Sequence, residues 1–261
     1  MRARGTMLCM STYAISDIHG CFDEFEKLLE MVDLRDDDEL YILGDLIDRG
    51  PQIDRCAEWL VRNGANEKDS HVHFLMGNHE EMATWAFEGA WSKFEFDDVY
   101  LPSWELNGGA ATLRQLRTLP AQTVDAFQRI VSRAPKAATL TVGGELILLC
   151  HAGIRPAEPE AEDGEWLIQS AEDLMWIGLE WYCAEEQPPF HVISGHTPVI
   201  MLGRGYRPAG CPPEVRAAGA NGHMMHWGRK HDIDCGCVFG GNLGMLRLDD
   251  WQELYVAREG K

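Results

Sequence analysis

The chain has 261 residues and is strongly acidic, with 42 Asp and Glu against 23 Lys and Arg and a formal net charge of -19 at pH 7. Its 45% hydrophobic and 25% charged residues are typical of a folded protein, and we expect a single domain over residues 1–261. So acidic a chain is repelled by nucleic-acid backbones and anionic lipid surfaces, and no apolar run reaches the roughly 18 residues that a membrane span needs. We therefore expect neither a nucleic acid nor a membrane as partner.

The eight cysteines are scattered through apolar stretches and form no Cys-x-x-Cys pair. This pattern favours reduced cysteines that pack as small apolar side chains over a disulfide scaffold. The first residues hold arginines but no long apolar stretch of the kind that directs secretion. We therefore expect a cytoplasmic location.

The first part of the chain alternates strands and helices. Short apolar runs predict strands at 13–16, 40–43 and 72–76, and each run is followed by apolar residues at the three and four spacing of a helix. Each predicted strand ends at glycine and polar residues. Because ligands bind beyond the carboxyl ends of the strands in α/β sheets, we expect these polar turns to meet at one site.

The later elements follow a different order. Residues 91–133 predict helices, which we interpret as an inserted helical cap. Two strands joined by Gly143-Gly144 then predict a hairpin over 138–150. A helix over 171–181 and a strand over 191–194 follow, and two more strands close the chain.

Residues 203–231 are rich in glycine and proline and show no clear period, which predicts a long loop. The loop is basic, with five Lys and Arg against the single acid Glu214, and it also holds three histidines. Two interpretations stay open: a solvated excursion, or a lid that borders the cleft and supplies cations to a phosphorylated substrate.

Polar clusters occupy the turns after five predicted strands. They are Asp17-Ile18-His19-Gly20, the segment from Gly44 to Gly50, Gly77-Asn78-His79-Glu80, His151-Ala152-Gly153 and Gly195-His196-Thr197. Oxygen and nitrogen donors of this kind suit two divalent metals, which can activate a water and bind two phosphate oxygens. Each cluster alone is explained by capping or by a core histidine, but their joint occurrence is not.

Together these clusters resemble the motifs of the calcineurin-like metallophosphoesterases. Over residues 12–256 the chain is similar to the bacterial and phage-type phosphoprotein (Ser/Thr) phosphatases and to the related symmetrical diadenosine tetraphosphatases. The resemblance implies an α/β fold of four α/β/β/α layers, with two mixed sheets and a helical cap insertion. It also implies a hydrolase acting on phosphoester bonds, in which a hydroxide bound to two metals attacks the phosphate.

The resemblance assigns six metal ligands, which are Asp17, His19, Asp45, Asn78, His151 and His196. The first two would hold one divalent ion, Asp45 would bridge, and the remaining three would hold the second ion. We expect manganese, with iron and zinc as alternatives.

The resemblance also assigns the residues that handle the substrate. His79 would be the general acid, Asp48 would orient it and raise its pKa, and Arg49 would bind the phosphate. Related bacterial enzymes carry a second arginine where this chain has Gly178, a loss that weakens binding by roughly 1.5–3 kcal/mol. Arg155 or the basic loop would replace it, although Arg155 also fits an ordinary surface arginine.

Three functions stay open. Segments 77–82 and 106–109 favour a phosphomonoesterase, first of all a Ser/Thr protein phosphatase, which is our main prediction. Segments 151–156 and 234–241 favour the alternative, a dinucleoside polyphosphate (diadenosine tetraphosphate) hydrolase. The third is a non-catalytic phosphate-binding scaffold. The expected partner is accordingly a phosphorylated protein or a small phosphoester or nucleotide, and the oligomeric state cannot be read from the sequence.

Five tryptophans fall in predicted helical stretches, at positions 85, 91, 104, 176 and 181. Their spacing favours packing in the core or the cap. Stacking of one of them on an adenine base is the alternative that would fit a nucleotide substrate.

Overall fold

The structure is a computed structural model and describes residues 10–157, 162, 164–202, 212–218 and 222–258. Its strands are β1 (Thr12–Ile15), β2 (Glu39–Ile42), β3 (Val72–Phe74), β4 (Ala137–Val142), β5 (Glu145–Cys150), β6 (His191–Ser194), β7 (Met225–Trp227), β8 (Lys230–Asp232), β9 (Asn242–Arg247) and β10 (Gln252–Ala257). They form two mixed sheets, ordered β10-β9-β1-β2-β3 and β4-β5-β6-β8-β7. In each sheet three parallel strands lie together, with antiparallel neighbours beside them.

Helices connect and cover the strands. The helices in the described residues are α1 (Phe22–Val32), α2 (Ile53–Arg62), α3 (Asn78–Ala86), α4 (Leu101–Trp104), α5 (Ala110–Leu116), α6 (Ala121–Arg133), α7 (Ala171–Trp176), α8 (Leu179–Cys183), α9 (Val199–Leu202) and α10 (Pro213–Ala218). Three of them, α4, α5 and α6, lie within the predicted helical insertion 91–133, together with a short 3₁₀ turn and a π-helical turn.

Alternation along the strands builds the layers. Tyr13 and Ile15 of β1 belong to the core that includes α1 and α2, whereas Ala14 between them belongs to the core of the second sheet. Successive side chains of a strand point to opposite faces, so β1 contributes to one core on each side. The fold is the predicted α/β arrangement of two mixed sheets with helices outside them.

Two predicted elements differ from the structure. The predicted loop 203–231 contains α10, β7 and most of β8, and β8 is an inner strand that pairs with β6 on one side and β7 on the other. Its sequence, Lys230-His231-Asp232, lacks the apolar residues that mark a strand. The strand forms nevertheless, because pairing within the sheet overrides local propensity. Residues 203–211 and 219–221 of this loop lie outside the described residues.

The predicted helix 171–181 is two helices, because the chain becomes extended at Ile177 and Gly178. The apolar spacing runs through the break, so periodicity alone did not locate it.

The expectation of reduced cysteines is also wrong at one position, since Cys183 is disulfide-bonded. The free, buried cysteines among the described residues are Cys21, Cys56, Cys150, Cys235 and Cys237. No helix in the described residues is both long and apolar enough to cross a membrane.

Candidate active site

The carboxyl ends of the parallel strands bring the predicted ligands together. Asp17 and His19 follow β1, Asp45 follows β2, and Asn78 opens α3 after β3. His151 follows β5 in the second sheet, and His196 follows β6. The side chains are buried, five of them at most 5% exposed, and only His196 is of intermediate exposure.

Left-handed backbone shapes the turns that carry these ligands. The φ angles are 53° at Asp17, 43° at His19, 53° at Asp45 and 70° at His196. Residues other than glycine rarely adopt this conformation, which costs about 1–3 kcal/mol each and recurs at functional sites. The turns also lie close together, because a Cβ at Gly44 would be 2.5 Å from the backbone of the next turn.

Asp45 lies between two groups of donors. Its Oδ2 is 3.4 Å from His19 Nε2, and its Oδ1 is 3.4 Å from His151 Nε2. On the His151 side, Asn78 Oδ1 is 2.8 Å from His151 Nε2 and 3.1 Å from His196 Nδ1. The carboxylate therefore faces one group with each oxygen, as a ligand shared by two ions must.

The histidines are oriented for metal binding. His19 Nδ1 donates to the Ile47 carbonyl (2.6 Å) and His151 Nδ1 donates to the Leu43 carbonyl (2.8 Å). These bonds leave each Nε2 without a proton and facing the cluster, the arrangement that fixes a metal-binding imidazole. Burial lowers the pKa of both rings, which keeps them neutral.

The protein compensates the carboxylate of Asp45 only in part. Burial raises its pKa well above the usual value, and the negative charges of Asp17 and Glu80 raise it further. The backbone N–H of His79, which donates to Asp45 Oδ1 at 3.1 Å, and the Arg49 charge lower this pKa against those larger opposing effects. Divalent cations would supply the missing positive charge. The donor set and its charge therefore fit two divalent ions.

His79 and Asp48 form a pair at the edge of this cluster. His79 Nδ1 is 2.6 Å from Asp48 Oδ2, which also accepts a hydrogen bond from Trp104 Nε1 at 2.8 Å. The hydroxyl of Thr112 donates to the other oxygen of Asp48. Nε2 of His79 faces the cluster, 3.8 Å from Asp45 Oδ2. Burial raises the pKa of Asp48 to about 7, while the hydrogen bonds from Thr112 and Trp104 oppose that rise. Contrary to the predicted rise, the pKa of His79 lies well below its ordinary value, because burial and then the charges of Arg49 and His151 lower it.

Arg49 lies at the mouth of the cluster. Its side chain is exposed, its guanidinium lies 5.4 Å from the ring centre of Phe239, and one of its nitrogens is 2.5 Å from His19 Nε2. Its backbone N–H donates to the carbonyl of Gly108 at 3.4 Å. The positively charged guanidinium of Arg49 thus lies beside the predicted metal ligands and is open to solvent.

Arg155 lies elsewhere. Its side chain is 64% exposed and pairs with Asp173 at 2.5 Å, and the structure gives it no contact with the ligands among the described residues. From the basic loop, Lys230 is buried and donates to the carbonyls of Trp181 and Ala184. This lysine therefore holds the second sheet and α8 together rather than facing the cleft.

Glu80 is a site residue to which the sequence assigned no role. One carboxylate oxygen accepts from the N–H groups of Asp45 (2.8 Å) and Gly77 (3.2 Å), and the other accepts from Leu46 (2.9 Å) and Ile47 (3.2 Å). It therefore joins the turns that carry Asp45 and Asn78. The sequence does contain a sign of this role, because Glu80 stands three residues after Gly77, a spacing that is common at the start of a helix.

The chain belongs to the calcineurin-like phosphoesterase family, whose model matches residues 10–241. It is accordingly a phosphoester hydrolase, and its family is dimetal-dependent.

Several similar proteins carry the same name, symmetrical bis(5'-nucleosyl)-tetraphosphatase. The symmetrical bis(5'-nucleosyl)-tetraphosphatase of Chromobacterium violaceum is 24% identical over 93% of this chain and 94% of its own. The protein of the same name from Delftia acidovorans is 33% identical over 56% of this chain, which covers 46% of that protein. A solved structure titled as a putative diadenosine tetraphosphatase aligns over 98% of this chain and 96% of its own, with a TM-score of 0.58 and 17% identity, and supports the fold.

Proposed function

We propose that the protein hydrolyses dinucleoside polyphosphates. The observation that carries the phosphoester chemistry is Asp45, whose two oxygens face the His19 group and the His151 group at 3.4 Å each. The substrate class is supported by the name that the curated relatives share, one of which aligns over 93% of this chain.

Six residues would hold the two ions, which we propose are manganese. Asp17 and His19 would hold one, Asn78, His151 and His196 the other, and Asp45 both. The ions, when bound, supply positive charge to the phosphate oxygens and lower the pKa of a water that acts as nucleophile. The ligands are oxygen and nitrogen donors, which suit manganese, while iron and zinc are the alternatives.

The remaining residues orient the phosphate and move a proton. Arg49 presents a planar guanidinium at the mouth, which can hold two phosphate oxygens through parallel hydrogen bonds. His79 would donate a proton from Nε2 to the leaving oxygen, because its Nδ1 is committed to Asp48. Asp48 holds the ring in that orientation and stabilises it when it carries a positive charge.

A direct comparison of substrates tests the proposal. The metal-loaded full chain is assayed with diadenosine tetraphosphate and with a phosphoserine peptide, and products are separated by chromatography. We expect a higher kcat/KM for the dinucleotide, and Asp45→Asn serves as the inactive control. Faster turnover of the peptide would replace this proposal by the second candidate.

That second candidate is a Ser/Thr protein phosphatase. It is favoured by the segment Leu106-Asn107-Gly108-Gly109, which resembles phage-type phosphatases and in which the Gly108 carbonyl accepts the Arg49 N–H. Its substrate would be a phosphorylated protein. The cytoplasmic location stays a prediction for either candidate.

A further inference from the structure

An aromatic pocket lies beside the predicted active site. We call this cavity of about 290 Å³ the aromatic pocket. It is lined by Met82, Trp85, Tyr100, Ser103, Trp104, Asn107 and Trp176. None of these residues is a predicted metal ligand, general acid or phosphate-binding residue. The pocket is therefore a separate feature that the reaction chemistry leaves unexplained.

Two structural links connect the pocket to the predicted active site. Trp104 donates from Nε1 to Asp48, the carboxylate that holds His79. In addition, Asn78, Met82 and Trp85 stand at positions i, i+4 and i+7 of α3, which places them along one helix face. At a rise of about 1.5 Å per residue, Met82 and Trp85 lie roughly 6 Å and 10 Å along the helix axis from Asn78.

The pocket offers aromatic faces to a ligand. Trp85 is 45% exposed and Tyr100 is 48% exposed, which is high for large apolar side chains. The ring planes of Trp85 and Trp176 are 6° apart and their centroids are 6.3 Å apart. Trp176 is fixed by a 2.8 Å hydrogen bond from its Nε1 to Glu81. A ring stacked here would meet a surface that is already ordered, which lowers the entropic cost of binding.

The side-chain amide of Asn107 in the aromatic pocket can hydrogen-bond to a nucleobase. The amide nitrogen of Asn107 donates to the Ser103 carbonyl at 2.9 Å, which leaves its amide oxygen to accept a hydrogen bond. An exocyclic amino group on a ring stacked against the tryptophans would supply that donor.

We propose that the aromatic pocket binds the purine ring of a nucleotide whose phosphates reach the metal ligands. The proposal rests on the proposed function, since it identifies the part of the substrate that lies beyond the phosphates. Nucleobases stack on tryptophan without strict sequence preference, and this contact contributes appreciably to nucleotide binding.

Calorimetry on the metal-loaded full chain tests the pocket without turnover. The probes are AMP and ribose 5-phosphate, which differ by the base. We expect AMP to bind at least about tenfold more tightly to the wild type, the equivalent of about 1.4 kcal/mol. Trp85→Leu should remove most of that preference, and Trp85→Phe, which keeps a ring, should retain much of it. Val99→Ala, at an exposed neighbouring position, is the matched control.

Kinetics supply the second readout. The ratio of kcat/KM for diadenosine tetraphosphate to that for inorganic tripolyphosphate should fall about tenfold in Trp85→Leu, chiefly through KM. Equal affinity of the wild type for AMP and ribose 5-phosphate would overturn the proposal, as would an intact preference in Trp85→Leu. Tighter binding of O-phosphotyrosine than of AMP would assign the pocket to a peptide side chain and also overturn it. A Trp85-dependent AMP preference without turnover of the dinucleotide would reject the proposed function and keep the pocket.

Discussion

The turns that hold the predicted metal ligands and the aromatic rim beside them are built differently. The ligands are almost fully buried, and their turns use left-handed backbone that neighbouring turns hold in place. At the rim, Trp85 and Tyr100 are exposed side chains that take no part in the strained turns. Changes at the rim leave the backbone of the turns intact, so substrate choice can vary while the chemistry is kept.

The largest effect is expected at Asp45. We expect Asp45→Asn to lower kcat/KM more than about 100-fold, because even the partners of metal ligands contribute 10–100-fold. The melting temperature of the metal-free variant should not fall, since the change removes a buried charge that Asp17 and Glu80 repel.

Metal analysis, turnover and thermal unfolding together check this expectation. Asp36→Asn on the exposed surface is the control. A variant that keeps both its metal and its rate would show that Asp45 is not a shared ligand.

His79→Asn should have the next largest effect. Loss of a general acid lowers kcat by about 10²–10⁴-fold for a poor leaving group such as an alkoxide, and by much less for p-nitrophenolate. Bound metal, measured in parallel, should be unchanged, because His79 is not one of the six proposed ligands, although its Nε2 faces the cluster at 3.8 Å from Asp45 Oδ2. Equal losses with both leaving groups would contradict the general-acid role, and loss of metal would make His79 a ligand.

Glu80→Gln tests the connection between two turns. A glutamine offers one acceptor oxygen where the glutamate uses two for four N–H groups. We expect the free energy of unfolding to fall by about 1–3 kcal/mol, measured with urea. Glu88→Gln, an exposed change, should stay within about 0.5 kcal/mol of the wild type. Equal stability of the two variants would mean that the turns do not depend on Glu80.

Arg155→Ala should have the smallest effect. Because its guanidinium pairs with Asp173 on the surface, we expect KM to rise by no more than about fivefold, the equivalent of about 1 kcal/mol. Asp173→Ala is the matched variant, since it frees the same arginine to reach a phosphate and should lower KM. A much larger rise for Arg155→Ala would make Arg155 the replacement for the cation missing at Gly178.

The sequence predicted that the six proposed ligands would lie together, and it did so for a physical reason. Each ligand directly follows a short apolar strand, and parallel strands end at the same edge of a sheet, so local patterns were enough to bring Asp17, Asp45 and Asn78 together. His151 and His196 follow the same rule in the second sheet. The structure places all five, with His19, in one cluster.

What the sequence could not predict depends on distant partners. Glu80 accepts from N–H groups 33–35 residues away. The parallel rings of Trp85 and Trp176 belong to different helices far apart in the chain. Strand β8 has no apolar pattern and exists because β6 and β7 pair with it.

The hairpin turn at Gly143-Gly144 divides the proposed ligands into two groups along the sequence. Four of the proposed ligands precede the turn and two follow it, while a Cβ at either glycine would meet no atom within 4 Å. A polypeptide opened at this exposed turn would yield two fragments, neither of which contains a complete set of ligands. Phosphatase activity would then report the meeting of the two fragments, which makes this turn a natural place to convert the enzyme into a sensor of association.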